Sequence, residues 1–164
     1  MKLTNSQKQR YLRNIILPEV TEEGQKKLLR AKVLVVGAGG LGSPVLFYLA
    51  AAGVGNIGVI DDDVVELSNL QRQVIHNEKN LGQKKVLSAK EKISALNPDV
   101  NLEVFEIRAN RDSLRKISAN YDFILDATDN FPTRFIINEI CFEQKKPLIF
   151  AAVKGFLGQV STFK

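Results

Sequence analysis

The chain reads as a doubly wound α/β sheet, mainly parallel, behind an N-terminal helical segment. Three observations predict this. Short continuous apolar runs, such as residues 33–36 and 123–125, suit parallel strands covered on both faces. Amphipathic stretches of helical length alternate with them, and strand–helix–strand repetition builds a parallel sheet. Glycines stand directly between the first apolar run and the helix after it, where a tight turn is needed.

The elements follow in order. Asn5 or Ser6 can cap a helix running through Ile16, with Tyr11, Leu12, Ile15 and Ile16 on one face, and Pro18 ends it. A second amphipathic helix covers residues 21–30. Strand 33–36, helix 41–52 and strand 57–60 come next, with Gly53 and Gly55 closing the helix. After a polar loop, a helix over 82–96 stops at Asn97-Pro98, because the residue before proline avoids the helical region. Strand 102–107, a short helix 112–118, strand 123–125, helix 132–144 and strand 148–152 complete the alternation. Residues 158–163 alternate like one more strand. The division expected is 1–30 for the helical segment and 31–164 for the α/β domain, which looks truncated because a terminal strand leaves an open edge.

Composition narrows the class. Of 164 residues, 45% are apolar and 25% charged, which is globular composition. The longest apolar stretch, 44–54, is too short for a membrane span, and the polar N-terminus lacks a signal peptide's apolar core. The net charge of +5 is spread along the chain rather than gathered in a stripe, so neither a nucleic-acid nor a membrane partner is expected. The single cysteine, Cys141, can form neither an internal disulfide nor a cysteine zinc site. It falls on an apolar helix face and reads as buried. A cytoplasmic location is expected.

The chemistry begins at Gly37-Ala38-Gly39-Gly40-Leu41-Gly42, a G-x-G-x-x-G loop between strand and helix, as in Rossmann-like dinucleotide and nucleotide sites. Gly37 permits the turn, Gly39 and Gly40 let phosphate approach the backbone, and Gly42 allows close packing of helix on sheet. The helix N-terminus offers free N–H groups to an anion. Asp61 closes the second strand, where a carboxylate can accept from ribose hydroxyls. At this stage NAD, FAD and ATP all fit. The segment after Asp61 favours a triphosphate: Arg72 and Gln73 follow it, and Lys85 opens the next helix, cations of little use to hydride transfer. Taken singly, Arg72 and Lys85 are ordinary surface residues. Beyond the fourth strand, Asp126, Asp129 and Asn130 could hold Mg²⁺ through one or two oxygens, or could cap the next helix through Asn130 to Thr133. His76 reads as a structural hydrogen-bonding residue.

As a set, these segments resemble the MoeB/ThiF/HesA adenylyltransferases, relatives of ubiquitin-activating enzymes. The resemblance rests on residues 10–17, the loop 37–44, Ala52-Gly53-Val54-Gly55, Asp61 to Asp63, Ser68 to Gln73, Gly82-Gln83-Lys84-Lys85 and Asp126 to Asn130. It implies ATP on Gly37, Gly39, Gly40 and Gly42, with Asp61 at the ribose and Asp63 beside it. It implies that Asn69, Arg72 and Lys85 hold phosphates with Gln73 alongside, that Asp129 binds Mg²⁺, and that Arg13 reaches a phosphate of the neighbouring subunit's site in a homodimer. The implied catalytic set is Arg13, Arg72, Lys85 and Asp129. The implied substrate is the C-terminal Gly-Gly carboxylate of a ubiquitin-like sulfur-carrier protein, activated as acyl-adenylate with release of pyrophosphate. The C-x-x-C pairs that bind zinc in many members are missing, so zinc is not expected. Two other readings stand beside this one: a nucleotide-binding or dimerising fragment without turnover, and an NAD-dependent oxidoreductase.

Overall fold

The structure is a computed structural model and describes residues 2–164. Three short helices come first: α1 (Asn5–Arg10), α2 (Leu12–Ile15) and α3 (Thr21–Arg30). The α/β layers follow as β1 (Lys32–Val36), α4 (Gly42–Ala52), β2 (Asn56–Ile60), α5 (Lys85–Leu96), β3 (Asn101–Phe105), α6 (Arg111–Ser118), β4 (Phe123–Asp126), α7 (Phe131–Gln144), β5 (Leu148–Lys154) and β6 (Leu157–Phe163). They form one sheet in the order β3-β2-β1-β4-β5-β6, parallel except for the antiparallel β5–β6 pair.

The strands are apolar on both faces because both are covered. Val33, Val35 and Val59 pack with Leu46, Ala50, Val86 and Ile93 of α4 and α5. Leu34, Val36 and Ile124 pack on the other side with Leu114, Ile137 and Ile140 of α6 and α7. The chain order reverses direction at β1, whose neighbours are β2 and β4. Val36 pairs with both Ile60 and Asp126, so the three strands end level and the segments after them meet in one crevice. Ligands of doubly wound sheets bind at such a switch point.

Several boundaries differ from the sequence expectation. Thr4, rather than Asn5 or Ser6, caps α1, through a capping box with Gln7. The helix expected through Ile16 breaks at Tyr11, which is buried, whereas Leu12 and Ile16 face solvent. Tyr11 turns inward because its hydroxyl accepts from Asn97 Nδ2 at 2.9 Å, and the same amide donates to the Ala50 carbonyl at 2.7 Å. The helix expected from Gly82 starts at Lys85: Gly82 has a positive φ of 79°, and residues 82–84 are instead paired with Val64 and Val65. Strand β3 ends at Phe105, two residues early. The last strand does not alternate in burial; only Ser161 is half-covered.

Candidate nucleotide-phosphate site

The crevice is built on the loop after β1. Gly37 has φ +102°, and a Cβ there would meet the Ala127 carbonyl oxygen at 2.8 Å, so the turn presses against the end of β4. A Cβ on Gly42 would stand 1.9 Å from the Gly37 carbonyl oxygen; no other residue lets α4 start so close to the turn. Gly39 and Gly40 are different. The nearest atoms to an added Cβ are Gln73 Nε2 at 3.7 Å and Arg72 Cγ at 3.4 Å, both side chains on the outer side of the loop. The structure thus brings Arg72 and Gln73 against the glycine loop, Arg72 exposed and Gln73 buried.

The acids around the loop have distinct environments. Asp61 Oδ2 accepts from the Ala38 N–H at 2.8 Å, and its Oδ1 accepts from the Asp63 N–H at 2.9 Å. Asp63 is exposed and pairs with Lys85, Nζ to Oδ2 2.8 Å. Lys85 is no surface lysine: it is 5% exposed, and the Asp63 carbonyl also accepts its N–H at 3.0 Å. With Asn69, Val64 and Glu66, this pair lines a small hollow of about 140 Å³. Asn69 is buried and accepts the Glu66 N–H at 3.2 Å, closing the turn that carries Arg72. Gln73 is buried and its Oε1 has no hydrogen-bond partner. A buried amide oxygen without a donor is costly, and a donor group arriving with a ligand would satisfy it. A wider, shallow hollow lined by Lys27, Arg30, Asp122 and Phe123 lies at the opposite ends of β1 and β4, away from the loop.

Beyond β4, the three expected oxygen donors separate. Asn130 Oδ1 accepts the Thr133 N–H at 3.0 Å and caps α7. Asp126 is 1% exposed and accepts from the Thr128 N–H and hydroxyl at 2.9 and 2.6 Å; burial raises its pKa, and those hydrogen bonds and Arg134 oppose the shift. Asp129 alone faces solvent with its carboxylate. One exposed carboxylate beside a phosphate site suits Mg²⁺, which takes one or two carboxylates and otherwise phosphate and water oxygens. Asp61, Asp62 and Asp63 also gather carboxylate oxygens within 4.8 Å, two of the three exposed. Arg13 lies exposed on α2, and the crevice is assembled without it.

Sequence reasoning passed over Arg134. Its guanidinium donates to the Thr128 carbonyl and, at 3.4 Å, to the Ala151 carbonyl, and sits 4.8 Å from the centre of the Phe150 ring. Nε lies 4.0 Å from Asp126 and has no hydrogen-bond partner. Arg134 therefore ties the loop of Asp129 to β5. Its only sequence signal was a basic residue in the first turn of a helix, where the dipole disfavours it. Cys141 is buried as expected, and burial pushes its thiol up to about 11, so it stays protonated.

Known proteins are similar to this chain in sequence and in fold. The sulfur carrier protein adenylyltransferase of Thermus thermophilus is 48% identical over 163 residues, 99% of this chain and 60% of that protein. The SAMP-activating enzyme E1 of Haloferax volcanii is 48% identical over 162 residues, with the same shares covered. The chain thus spans about 60% of the length of these relatives. Among solved structures, the E. coli tRNA N6-threonylcarbamoyladenosine dehydratase TcdA in complex with ATP superposes with a TM-score of 0.88 at 27% identity, covering 96% of this chain and 65% of that one. E. coli MccB with ATP does so with a TM-score of 0.78 at 30% identity, over 87% and 44%. The ThiF family profile matches residues 11–164, and with it the strand, glycine loop, Arg72–Gln73 turn and Lys85 helix just described: the chain belongs to the ThiF family.

Proposed function

We propose that this chain is the nucleotide-binding part of an adenylyltransferase that activates the C-terminal Gly-Gly carboxylate of a ubiquitin-like sulfur-carrier protein. The observation that carries the reading is the glycine loop flanked by Arg72 at Gly40 and by the Gln73 amide nitrogen at Gly39, with buried Lys85 opening the next helix. The name of the Thermus relative supports the reaction class. A nicotinamide enzyme would have no need of that cationic rim.

The reaction joins a carboxylate oxygen to the α-phosphorus of ATP as the bond to the β-phosphate oxygen breaks and pyrophosphate leaves. A C-terminal carboxyl has a pKa of about 3.3–3.7, so it is ionised at neutral pH and needs no general base. The protein's task is to manage charge. Gly39 and Gly40 admit the phosphates to the backbone and to the N-terminus of α4. Arg72, Lys85 and Asn69 hold them, with Gln73 alongside, and cations aimed at the developing charge stabilise the transition state. Asp61 and Asp63 serve the nucleoside side. In this reading Asp129 holds Mg²⁺, which when bound offsets phosphate charge. The protein works in the cytoplasm as a homodimer, with Arg13 reaching the partner's site. The segment 1–30 carries Arg13, and residues 31–164 make up the ATP-binding domain.

The test is ATP–pyrophosphate exchange with a sulfur-carrier protein. Arg72→Ala and Lys85→Ala should each lower exchange by about 10²-fold or more, the usual cost of a lost transition-state donor, while the chain stays folded. Asp129→Ala should remove the Mg²⁺-dependent exchange activity, read as a Mg²⁺ titration that no longer stimulates exchange. Mixing Arg13→Ala with Lys85→Ala protein should restore part of the activity through heterodimers. Wild-type exchange rates in both the Arg72 and Lys85 variants would overturn the proposal. ATP binding without any exchange would mark a nucleotide-binding part without turnover.

A further inference from the structure

Three elements of the crevice meet at one buried imidazole. His76 is 5% exposed. Its Nε2 lies 3.2 Å from the Ala38 carbonyl oxygen and its Nδ1 lies 2.8 Å from Ser88 Oγ. A carbonyl can only accept, so Nε2 carries the proton and Nδ1 accepts from the Ser88 hydroxyl. Ala38 stands between Gly37 and Gly39. Ser88 lies one turn past Lys85 in α5. The His76 N–H donates to the Gln73 carbonyl at 3.0 Å, closing the turn that presents Arg72 and Gln73. One side chain thus braces the loop, the turn and the lysine helix.

The brace has a consequence for the loop's backbone. Ala38 is held at both polar groups: its N–H by Asp61, its carbonyl by His76. The peptide joining Ala38 to Gly39 is planar and trans, so its carbonyl and N–H point in opposite directions. With the carbonyl held inward, the Gly39 N–H faces outward. Among the described residues it has no protein acceptor.

We propose that His76 is a positioning residue for phosphate binding: it turns the Gly39 N–H toward the nucleotide and, through Ser88, keeps Lys85 in register with the loop. This rests on the ATP-binding reading above. Phosphate affinity therefore depends on the Ala38 contact, and nucleoside affinity does not.

The experiment is titration of ATP and of adenosine into the full chain, with folding followed by melting. The wild type should bind both. His76→Ala should weaken ATP about tenfold, the equivalent of one buried hydrogen bond, and leave adenosine unchanged. His76→Gln, whose amide can still donate to Ala38, should recover most of the loss; His76→Asn, too short to reach it, should not. Should His76→Ala fail to fold, the Gln and Asn variants decide. Equal ATP affinity in those two, or a parallel loss of ATP and adenosine, overturns the inference alone. A wild type that binds no ATP overturns the adenylyltransferase reading, and this inference with it.

Discussion

At the scale of single residues, two glycines of one motif have opposite roles. An alanine at 42 would drive its methyl into the Gly37 carbonyl, a backbone atom that cannot yield. Gly42→Ala should therefore unfold the chain or lower its melting temperature steeply. An alanine at 39 meets only the end of the Gln73 side chain. Gly39→Ala should melt within a degree or two of wild type yet lose ATP binding, because the methyl occupies the path of the phosphate. Paired melting and ATP titration check both. His76 adds a pH dependence. Its ordinary pKa is 6.5; burial lowers it in the folded chain, the Ala38 contact and Asp61 oppose this, and Lys85 and Lys92 add to it. The unfolded chain therefore binds a proton before the folded one does. Above pH 6.5 both states are neutral and this stabilisation is whole; it is lost as pH falls from 6.5 through the folded pKa. Melting between pH 7 and pH 5 should fall more steeply in wild type than in His76→Gln, and equal slopes would show that the imidazole is not the group responsible.

At the scale of elements, the N-terminal helices are joined to the C-terminal end of α4 by polar contacts in addition to the packing of Leu28 against the core. Gln25 is wholly buried on α3 and donates to the Ala52 carbonyl at 2.9 Å, while Asn14 donates to Gln25 at 2.9 Å. Gly53 follows with φ +83°, and a Cβ there would clash with Tyr11 at 2.5 Å. Tyr11, Asn97 and the Ala50 carbonyl complete this junction. Tyr11→Phe removes one hydroxyl and leaves a buried amide N–H without an acceptor. It should cost about 1–3 kcal/mol, read as a melting temperature lower by several degrees. An unchanged melting curve would mean that the junction contributes nothing to global stability.

At the scale of the molecule, the sheet ends at β3 on one side and at the antiparallel β5–β6 hairpin on the other. The β5–β6 hairpin exposes Val153, Phe156, Leu157, Val160 and Phe163, and the outer side of α7 exposes Phe131, Phe135 and Phe142. So much exposed apolar surface at a sheet edge promotes association. The chain should bind a hydrophobic dye in its native state and sediment faster as concentration rises. Leu157→Lys with Val160→Lys should reduce both effects without shifting the melting temperature. Concentration-independent sedimentation in wild type would refute the expectation.

The order of elements, the parallel sheet and the glycine turn were legible in the sequence because each follows from local pattern: continuous apolar runs, helical periodicity and glycines at fixed offsets. Gly37, Gly42, Arg72 and Gln73 could be placed at one crevice on those grounds, since the end of each strand must face the switch point. What the tertiary structure decided was the environment of each polar group. Burial of Lys85 against Asp63 and the inward turn of Tyr11 toward Asn97 depend on partners 22 and 86 residues away, whereas the cap of Asn130 on Thr133, three residues on, was already open to the sequence. Arg134 was invisible as an organiser for the same reason, and His76, read as a structural hydrogen-bonding residue, could not be matched in the sequence to Ala38 and Ser88. Periodicity records which face of an element is apolar, whereas a hydrogen-bond partner is chosen only when distant segments are brought within 3 Å of one another.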